Sequence, residues 1–125
     1  MPGCFKDNSK IIEHFFHPRN MGVIKNPDAI GKIGNPMCGD VMHIYLKIKD
    51  NIIEDIKFKT YGCAVAIAST SILTELVKGK SLKEAKKISG KRIREMLGDM
   101  PVHKYHCTIL AEQALKSAIE NYEEK

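Results

Sequence analysis

Val41-Met42-His43-Ile44-Tyr45-Leu46-Lys47-Ile48-Lys49-Asp50-Asn51-Ile52-Ile53-Glu54-Asp55-Ile56-Lys57-Phe58-Lys59-Thr60 is the stretch on which the fold turns. Met42, Ile44, Leu46 and Ile48 alternate with more polar residues, the period of a strand with one buried face. Asp50-Asn51 gives a turn. Beyond it Ile52, Ile56, Phe58 and Thr60 fall on one face, and Asp55, Lys57 and Lys59 on the other. Period two on both sides of a turn is a β-hairpin.

Upstream, a short helix is expected with Ser9 as its cap, Ile11, Ile12, Phe15 and Phe16 as its apolar face, and Pro18 as its end. Residues 20–37 are punctuated by Gly22, Pro27, Gly31, Gly34 and Pro36, and read as loop with one short strand around Ile30 to Ile33. Downstream, the pattern changes to helix after Gly62. Ala64, Ala66, Ala68 and Ser69 are small and allow close packing, Ile72, Leu73, Leu76 and Val77 continue a buried stripe, and Gly79 stops it. Ser81 with Glu84 resembles a capping box for a short helix to Ile88. Another short helix is read from Lys91 to Leu97, with Gly98 and Pro101 breaking the chain after it. A final helix from Cys107 to Tyr122 carries Leu110, Ala111, Ala114, Leu115, Ala118 and Tyr122 at helical spacing. Strands come first and helices follow. The class is therefore α+β: a small antiparallel sheet of about three strands, helices on one face, an N-terminal helix and a long C-terminal one.

The 125 residues are expected to form one domain, 1–125, with segment 1–8 loose and Cys4 in it without a role. A hydrophobic fraction of 43% is enough for a core that needs no metal to fold. The start, Met1-Pro2-Gly3-Cys4-Phe5-Lys6-Asp7, lacks the apolar region of a signal peptide. No apolar run approaches the ~20 residues of a bilayer span, so no membrane is expected and the expected compartment is cytoplasmic. Four cysteines in a reducing compartment are thiols or ligands rather than a disulfide framework. Much of the +5 net charge lies between Lys78 and Arg94, where no aromatic residue interleaves as a base-stacking surface requires. That segment reads as solvated helix or as a surface for an acidic protein, and no nucleic acid is expected.

Three cysteines stand apart, in Asn35-Pro36-Met37-Cys38-Gly39-Asp40, Tyr61-Gly62-Cys63 and His106-Cys107, each at a predicted turn or element end. With Asp40 and His106 they offer three thiolates, a carboxylate and an imidazole, a set that suits iron, an iron–sulfur cluster or zinc. With Asp50 and Asn51 at the centre of the turn, pairing back along the ribbon sets Cys38 opposite Cys63; a bulge would shift this by a residue or two. Cys63 marks the change from strand to helix, and Cys107 stands at the start of the last helix. Helix N-termini carry unpaired N–H groups and partial positive charge, which favour the thiolate. Asp40 and His106 both stand as the fourth ligand. A carboxylate is a hard group that holds a soft centre less firmly than thiolate, as suits a cluster that must later leave.

Each residue alone has a plainer reading. A buried Cys63 beside Ala64 and Val65 is by default a small hydrophobe, and Gly39 and Gly62 are ordinary turn glycines. His14, His17, His43 and His103 read as structural or exposed. Three thiols near chain breaks, two of them sharing one hairpin end, favour the metal. The rivals are a thiol enzyme, with Cys107 as nucleophile and Asp40 or His106 as acid–base partner, and a zinc-stabilised binding module.

His17-Pro18-Arg19-Asn20-Met21-Gly22, Gly34-Asn35-Pro36-Met37-Cys38-Gly39-Asp40, Phe58-Lys59-Thr60-Tyr61-Gly62-Cys63 with Ala66-Ile67-Ala68-Ser69, Val77-Lys78-Gly79-Lys80 and Lys104-Tyr105-His106-Cys107 occur together. In that combination, from Lys10 to Tyr122, the chain resembles the IscU/NifU-type iron–sulfur cluster assembly scaffolds. The resemblance implies a scaffold rather than an enzyme. It would accept persulfide sulfur from a cysteine desulfurase, bind Fe2+, draw on an electron donor such as a ferredoxin, build a transient 2Fe–2S cluster and pass it to apo-proteins. It implies Cys38, Cys63 and Cys107 as ligands, Asp40 and His106 as variable or assisting groups, and Cys107 as the sulfur acceptor. Zn2+ in the cluster-free site and a cluster-bridged homodimer belong to the same expectation.

Two departures stand out. Many members carry a Leu-Pro-Pro-Val-Lys segment read by an Hsp70-type chaperone; here it is Met100-Pro101-Val102-His103-Lys104, and loss of the second proline weakens the case for that chaperone. Lys104 is retained, and is expected to assist the site electrostatically. Ala64 replaces a glycine common after Cys63, at a cost in backbone freedom. The C-terminal extensions of multidomain members are lacking, so the scaffold module alone is expected.

Overall fold

The computed structural model describes residues 9–35, 40–62, 64–98 and 105–124. Along them run α1 (Ser9–Phe16), β1 (Ala29–Asn35), β2 (Asp40–Lys49), β3 (Ile52–Tyr61), α2 (Ala64–Val77), α3 (Leu82–Ala85), α4 (Gly90–Leu97) and α5 (Tyr105–Glu123). The three strands form one antiparallel sheet in the order β1-β2-β3. The α+β class and the three-stranded sheet are as the alternating pattern predicts.

Asp50 and Asn51 both take left-handed backbone angles, φ 55° and 62°. That geometry belongs to a tight two-residue turn whose twist matches the strands it joins, and Asn and Asp tolerate it better than other side chains with a Cβ. Pairing starts as expected, Lys49 with Ile52 and Ile48 with Ile53, but then shifts by one residue, so that Lys47 faces Asp55. Glu54 is the extra residue of a bulge. Two readings change as a result. Ile53 is buried and Ile52 is 44% exposed, whereas the alternation had put Ile52 on the inner face. Further along, Val41 faces Tyr61 rather than Thr60.

Met42, Ile44, Leu46 and Ile48 of β2 and Ile53, Ile56, Phe58 and Thr60 of β3 make the buried face. The helices α2 and α5 cover it. Small residues set how closely they approach: a Cβ on Gly31 of β1 would collide with the carbonyl oxygen of Ala114 and with Ala118 of α5. In α2 the buried residues run almost all round the helix, from Ala64 to Thr74 and on to Val77, because the sheet, α1, α4 and α5 surround it.

The outer edge of β3 is not left bare. Phe58 donates to the carbonyl of Asn20 and accepts from Gly22, giving a parallel bridge with Met21, while Ile53 exchanges bonds with Lys80 and Gly79. Both segments satisfy strand groups that would otherwise invite another chain.

Three smaller expectations change. Phe16 is 68% exposed, so the inward face of α1 is carried by Ile11 and His14, with Ile12 and Phe15 partly buried. α3 ends at Ala85 and not at Ile88; Lys86 and Lys87 continue as turn, and the Lys87 and Ile88 N–H groups bond three residues back. Its cap is as read, with the Glu84 N–H donating to Ser81 Oγ at 3.1 Å. α5 starts at Tyr105, two residues before the predicted start.

Candidate metal centre

The sheet has two ends, and the helices are oriented alike with respect to them. At the turn end, the Leu82 N–H donates to Asn51 O, and Gly79, just past α2, donates to Ile53 O. Lys86, which closes α3, pairs with Glu123 at the end of α5 at 2.7 Å. The C-termini of α2 and α5 are thus both at the hairpin turn. Their N-termini point to the open end, where the chain enters β2 at Asp40 and leaves β3 at Tyr61.

Distance along α5 agrees. Ala118 lies over Gly31, and Asn121 Nδ2 donates to Ile30 O at 2.8 Å. Back from Ala118 to Cys107 is about 16 Å of helix. From Gly31 to Asn35, the partner of Asp40, is about 13 Å of strand. A helix lying along the strand brings its first turn level with that end. Two helix N-termini, neither with an acidic residue in its first turn, therefore face the open end of the sheet. Their dipoles favour anions there.

His106 and Cys107 occupy the first turn of α5. Cys107 is fully buried, and its Sγ lies 3.6 Å from His106 Nε2. Asp40 opens β2, its backbone paired with Asn35. Cys38, Cys63, Lys104, His103 and Cys4 lie outside the described residues. Among the described residues no group of three His, Cys, Asp or Glu side chains is placed to hold a metal ion. The elements that lead into Cys38 and out to Cys63 nevertheless share one end of the sheet with the His106-Cys107 turn.

Around that turn the structure adds residues the sequence did not single out. Arg94 was read as part of a solvated basic stretch. Instead its guanidinium carbon sits 4.6 Å from the ring centroid of Tyr105, and its Nη1 donates to Thr108 Oγ1 at 3.0 Å. Thr108 Oγ1 in turn donates to the carbonyl of Tyr105 at 2.7 Å. One turn later, Glu112 accepts from the Gly90 N–H at 2.5 Å and from Lys116 Nζ at 2.8 Å. Partial burial pushes the Glu112 pKa up, but these hydrogen bonds and the Lys116 and Arg94 charges outweigh it and hold it below the ordinary value. No sequence signal announces this cluster, since Arg94 lies on α4 and its partners Tyr105 and Thr108 on α5.

His14 takes the structural one of its two expected roles. It is buried between α1 and α2, with Nδ1 2.7 Å from Ser71 Oγ and Nε2 3.4 Å from Glu75. Ser71 Oγ also accepts from the Arg19 N–H at 2.9 Å, and Asn20 Nδ2 donates to Thr74 Oγ1 at 3.0 Å. This polar seam fixes α1 and the segment after it against α2. No described helix is long and apolar enough to cross a membrane.

Comparison with known proteins fits this architecture. A family profile described as the NifU-like N terminal domain matches residues 6–125. The iron-sulfur cluster assembly scaffold protein IscU 1 of Archaeoglobus fulgidus is 52% identical over 115 residues, spanning 92% of this chain and 75% of the relative. The scaffold protein IscU of Escherichia coli (strain K12) is 51% identical over 122 residues, spanning 94% of each. The crystal structure of a nitrogen-fixing NifU-like protein (N-terminal) from Brucella abortus shares the fold, with a TM-score of 0.74 at 24% identity over 94% of each chain. By its motifs, its fold and its match over almost the full length, the chain belongs to the NifU-like N-terminal domain family, the IscU/NifU type that the sequence resembles.

Proposed function

We propose that this protein is a scaffold on which iron–sulfur clusters are assembled and from which they are passed on. The observation that carries the reading is the shared orientation of α2 and α5. Their N-termini face the end of the sheet where Asp40 opens β2, and the His106-Cys107 pair lies in the first turn of α5. Relatives about half identical to the chain are named as such scaffolds.

The cluster is cargo, and Cys38, Cys63 and Cys107 hold it, with Asp40 or His106 in the fourth position. Helix N-termini compensate the negative charge of thiolates and bridging sulfide. Sulfur arrives as the outer atom of a persulfide on a cysteine desulfurase. The Cys107 thiolate attacks that atom, a new S–S bond forms on Cys107, and the donor's S–S bond breaks to release its thiolate. Reducing the two sulfurs of a cluster to sulfide takes four electrons: two come from the two Fe2+ ions as they become Fe3+, and two from an electron donor of the ferredoxin kind. Lys104 assists electrostatically. Fe2+ completes a 2Fe–2S cluster, which then moves to an apo-protein acceptor; a cluster-bridged homodimer is the form in which two chains would share it. The cluster-free thiolates also suit Zn2+, since three soft ligands and one harder group make a tetrahedral set. The protein acts in the cytoplasm in this reading, and chaperone-assisted release is not part of it.

Anaerobic incubation of the full chain with Fe3+, sulfide and a thiol reductant should give the visible spectrum of a 2Fe–2S cluster, lost in Cys38→Ala, Cys63→Ala and Cys107→Ala. Mass analysis after exposure to a persulfide-loaded desulfurase should place the added sulfur on Cys107. A wild-type protein that forms no cluster, or sulfur that settles on Cys4 alone, would defeat the reading.

A further inference from the structure

Sulfur transfer to Cys107, on which this inference rests, requires that another protein's persulfide reach its Sγ. In the structure Cys107 is fully buried. The first turn of α5 must therefore open before the thiol can react, and the residues that hold that turn closed control the step. We infer that Arg94 is a positioning residue that latches the first turn of α5 over Cys107.

The latch is built from two contacts on either side of the cysteine. The Arg94 guanidinium lies over the ring of Tyr105, two residues before Cys107, and donates to Thr108 Oγ1, one residue after it. Thr108 Oγ1 passes a hydrogen bond back to Tyr105 O and so closes a ring of contacts about the turn. A planar guanidinium can stack and donate at once, which an ammonium cannot. The platform is firm. Ile93 and Leu97 bury the other side of α4, and Gly90 at its start donates to Glu112 of α5. A Cβ on Gly90 would come within 3.2 Å of Thr108 Oγ1 and 3.3 Å of Ile109 N, so α4 and α5 meet backbone to backbone there. Below Glu112 the helix is anchored; above it, Tyr105 and Thr108 are tied through Arg94.

A buried thiol held by a local opening reacts at a rate that follows the population of the open form. The test is iodoacetamide labelling of metal-free full-length protein under anaerobic conditions, with Cys4, Cys38, Cys63 and Cys107 followed separately by peptide mass spectrometry. Arg94→Ala should raise the Cys107 rate about thirtyfold, the low end of what one cation–π contact and one charged hydrogen bond contribute together. Rates at Cys38 and Cys63 should stay near wild type. Removing a cation lowers the thiolate fraction nearby and by itself would slow labelling, so a rise reports access and not charge. Arg94→Lys, which keeps the charge and loses the planar fork, should also raise the rate, and Thr108→Val should do so to a smaller extent. An unchanged or lower Cys107 rate in Arg94→Ala would overturn the latch. So would a rise shared equally by Cys38 and Cys63, since that is general loosening; should Arg94→Ala not fold, Arg94→Lys and Thr108→Val decide. The labelling needs no desulfurase or iron, so its outcome stands apart from that of the sulfur-transfer experiment.

Discussion

His14 Nδ1 lies 2.7 Å from Ser71 Oγ, and this bond joins the N-terminal helix to the central one. Burial holds the His14 pKa below its ordinary value of 6.5, and the Arg19 charge adds to the effect. Glu75 and Glu13 act the other way. Glu75 is only 3.4 Å from Nε2, yet its side chain is 44% exposed, and water screens it enough that burial wins. Below 6.5 the unfolded chain takes up a proton that the folded one refuses until a lower pH. The contribution of His14 is therefore complete above 6.5 and is lost as the pH falls through the window down to the folded value. His43 adds a loss of the same sign through its own burial and the charges of Lys32 and Lys59. Urea denaturation across that window should show wild type losing stability on acidification, and His14→Asn losing less. Equal slopes in the two proteins would contradict the assignment.

Gly31 sets the distance between the sheet and α5. Its missing side chain leaves room for the Ala114 carbonyl and for Ala118. Gly31→Ala forces α5 outward or the strand down, an overpacking that costs about 1–3 kcal/mol. Thermal unfolding should record the loss. The first turn of α5 should suffer less than the middle of the helix, because the contact is at Ala114 and Ala118; hydrogen exchange can locate it. A variant as stable as wild type would show that α5 is not packed on β1 as described.

The bulge at Glu54 gives neighbouring isoleucines opposite fates. Ile53 is fully buried opposite Ile48, and Ile52 is 44% exposed opposite Lys49. Ile53→Ala should cost about 2–5 kcal/mol, while Ile52→Ala should stay within about 0.5 kcal/mol. Chemical denaturation of the two variants side by side checks the register. The reverse order would mean that the ribbon pairs without a bulge.

These two isoleucines also show where the sequence stops being readable. Alternation identified the strands, and Asp50-Asn51 the turn, because both are local properties of residue type. A bulge depends on which residue the partner strand and Lys80 select, and Ile52-Ile53 offers two equally apolar choices. Phe16 fails for a related reason: helical spacing marks an apolar stripe but not its edge, and the edge here is set by His14 turning inward to Ser71. In the candidate site the cysteines were conspicuous, since thiols at element ends have few structural uses. The shared direction of α2 and α5 follows from two crossings along the sheet and was legible only as far as the hairpin. Arg94 was not legible, because its partners Tyr105 and Thr108 lie on another helix and their contact is tertiary.

Asp40 provides the last prediction, and it concerns release rather than assembly. The residue opens β2 at the end of the sheet that both helix N-termini face. In the proposed cluster site a carboxylate at this position would be a hard, exchangeable ligand among thiolates and would give a departing cluster its weakest bond. In Asp40→Ala the remaining softer ligands should hold the cluster longer. Reconstitution with Fe3+, sulfide and a thiol reductant should still succeed, and transfer to an apo-ferredoxin, followed by its visible circular dichroism, should slow severalfold. His106→Ala serves as the comparison, because the two groups compete for one position. If Asp40 is the labile ligand, only its removal slows transfer; slowing confined to His106→Ala would give the role to the imidazole. Transfer as fast as or faster than wild type from Asp40→Ala would remove the carboxylate from the release step and leave lability to be explained by the thiolates alone.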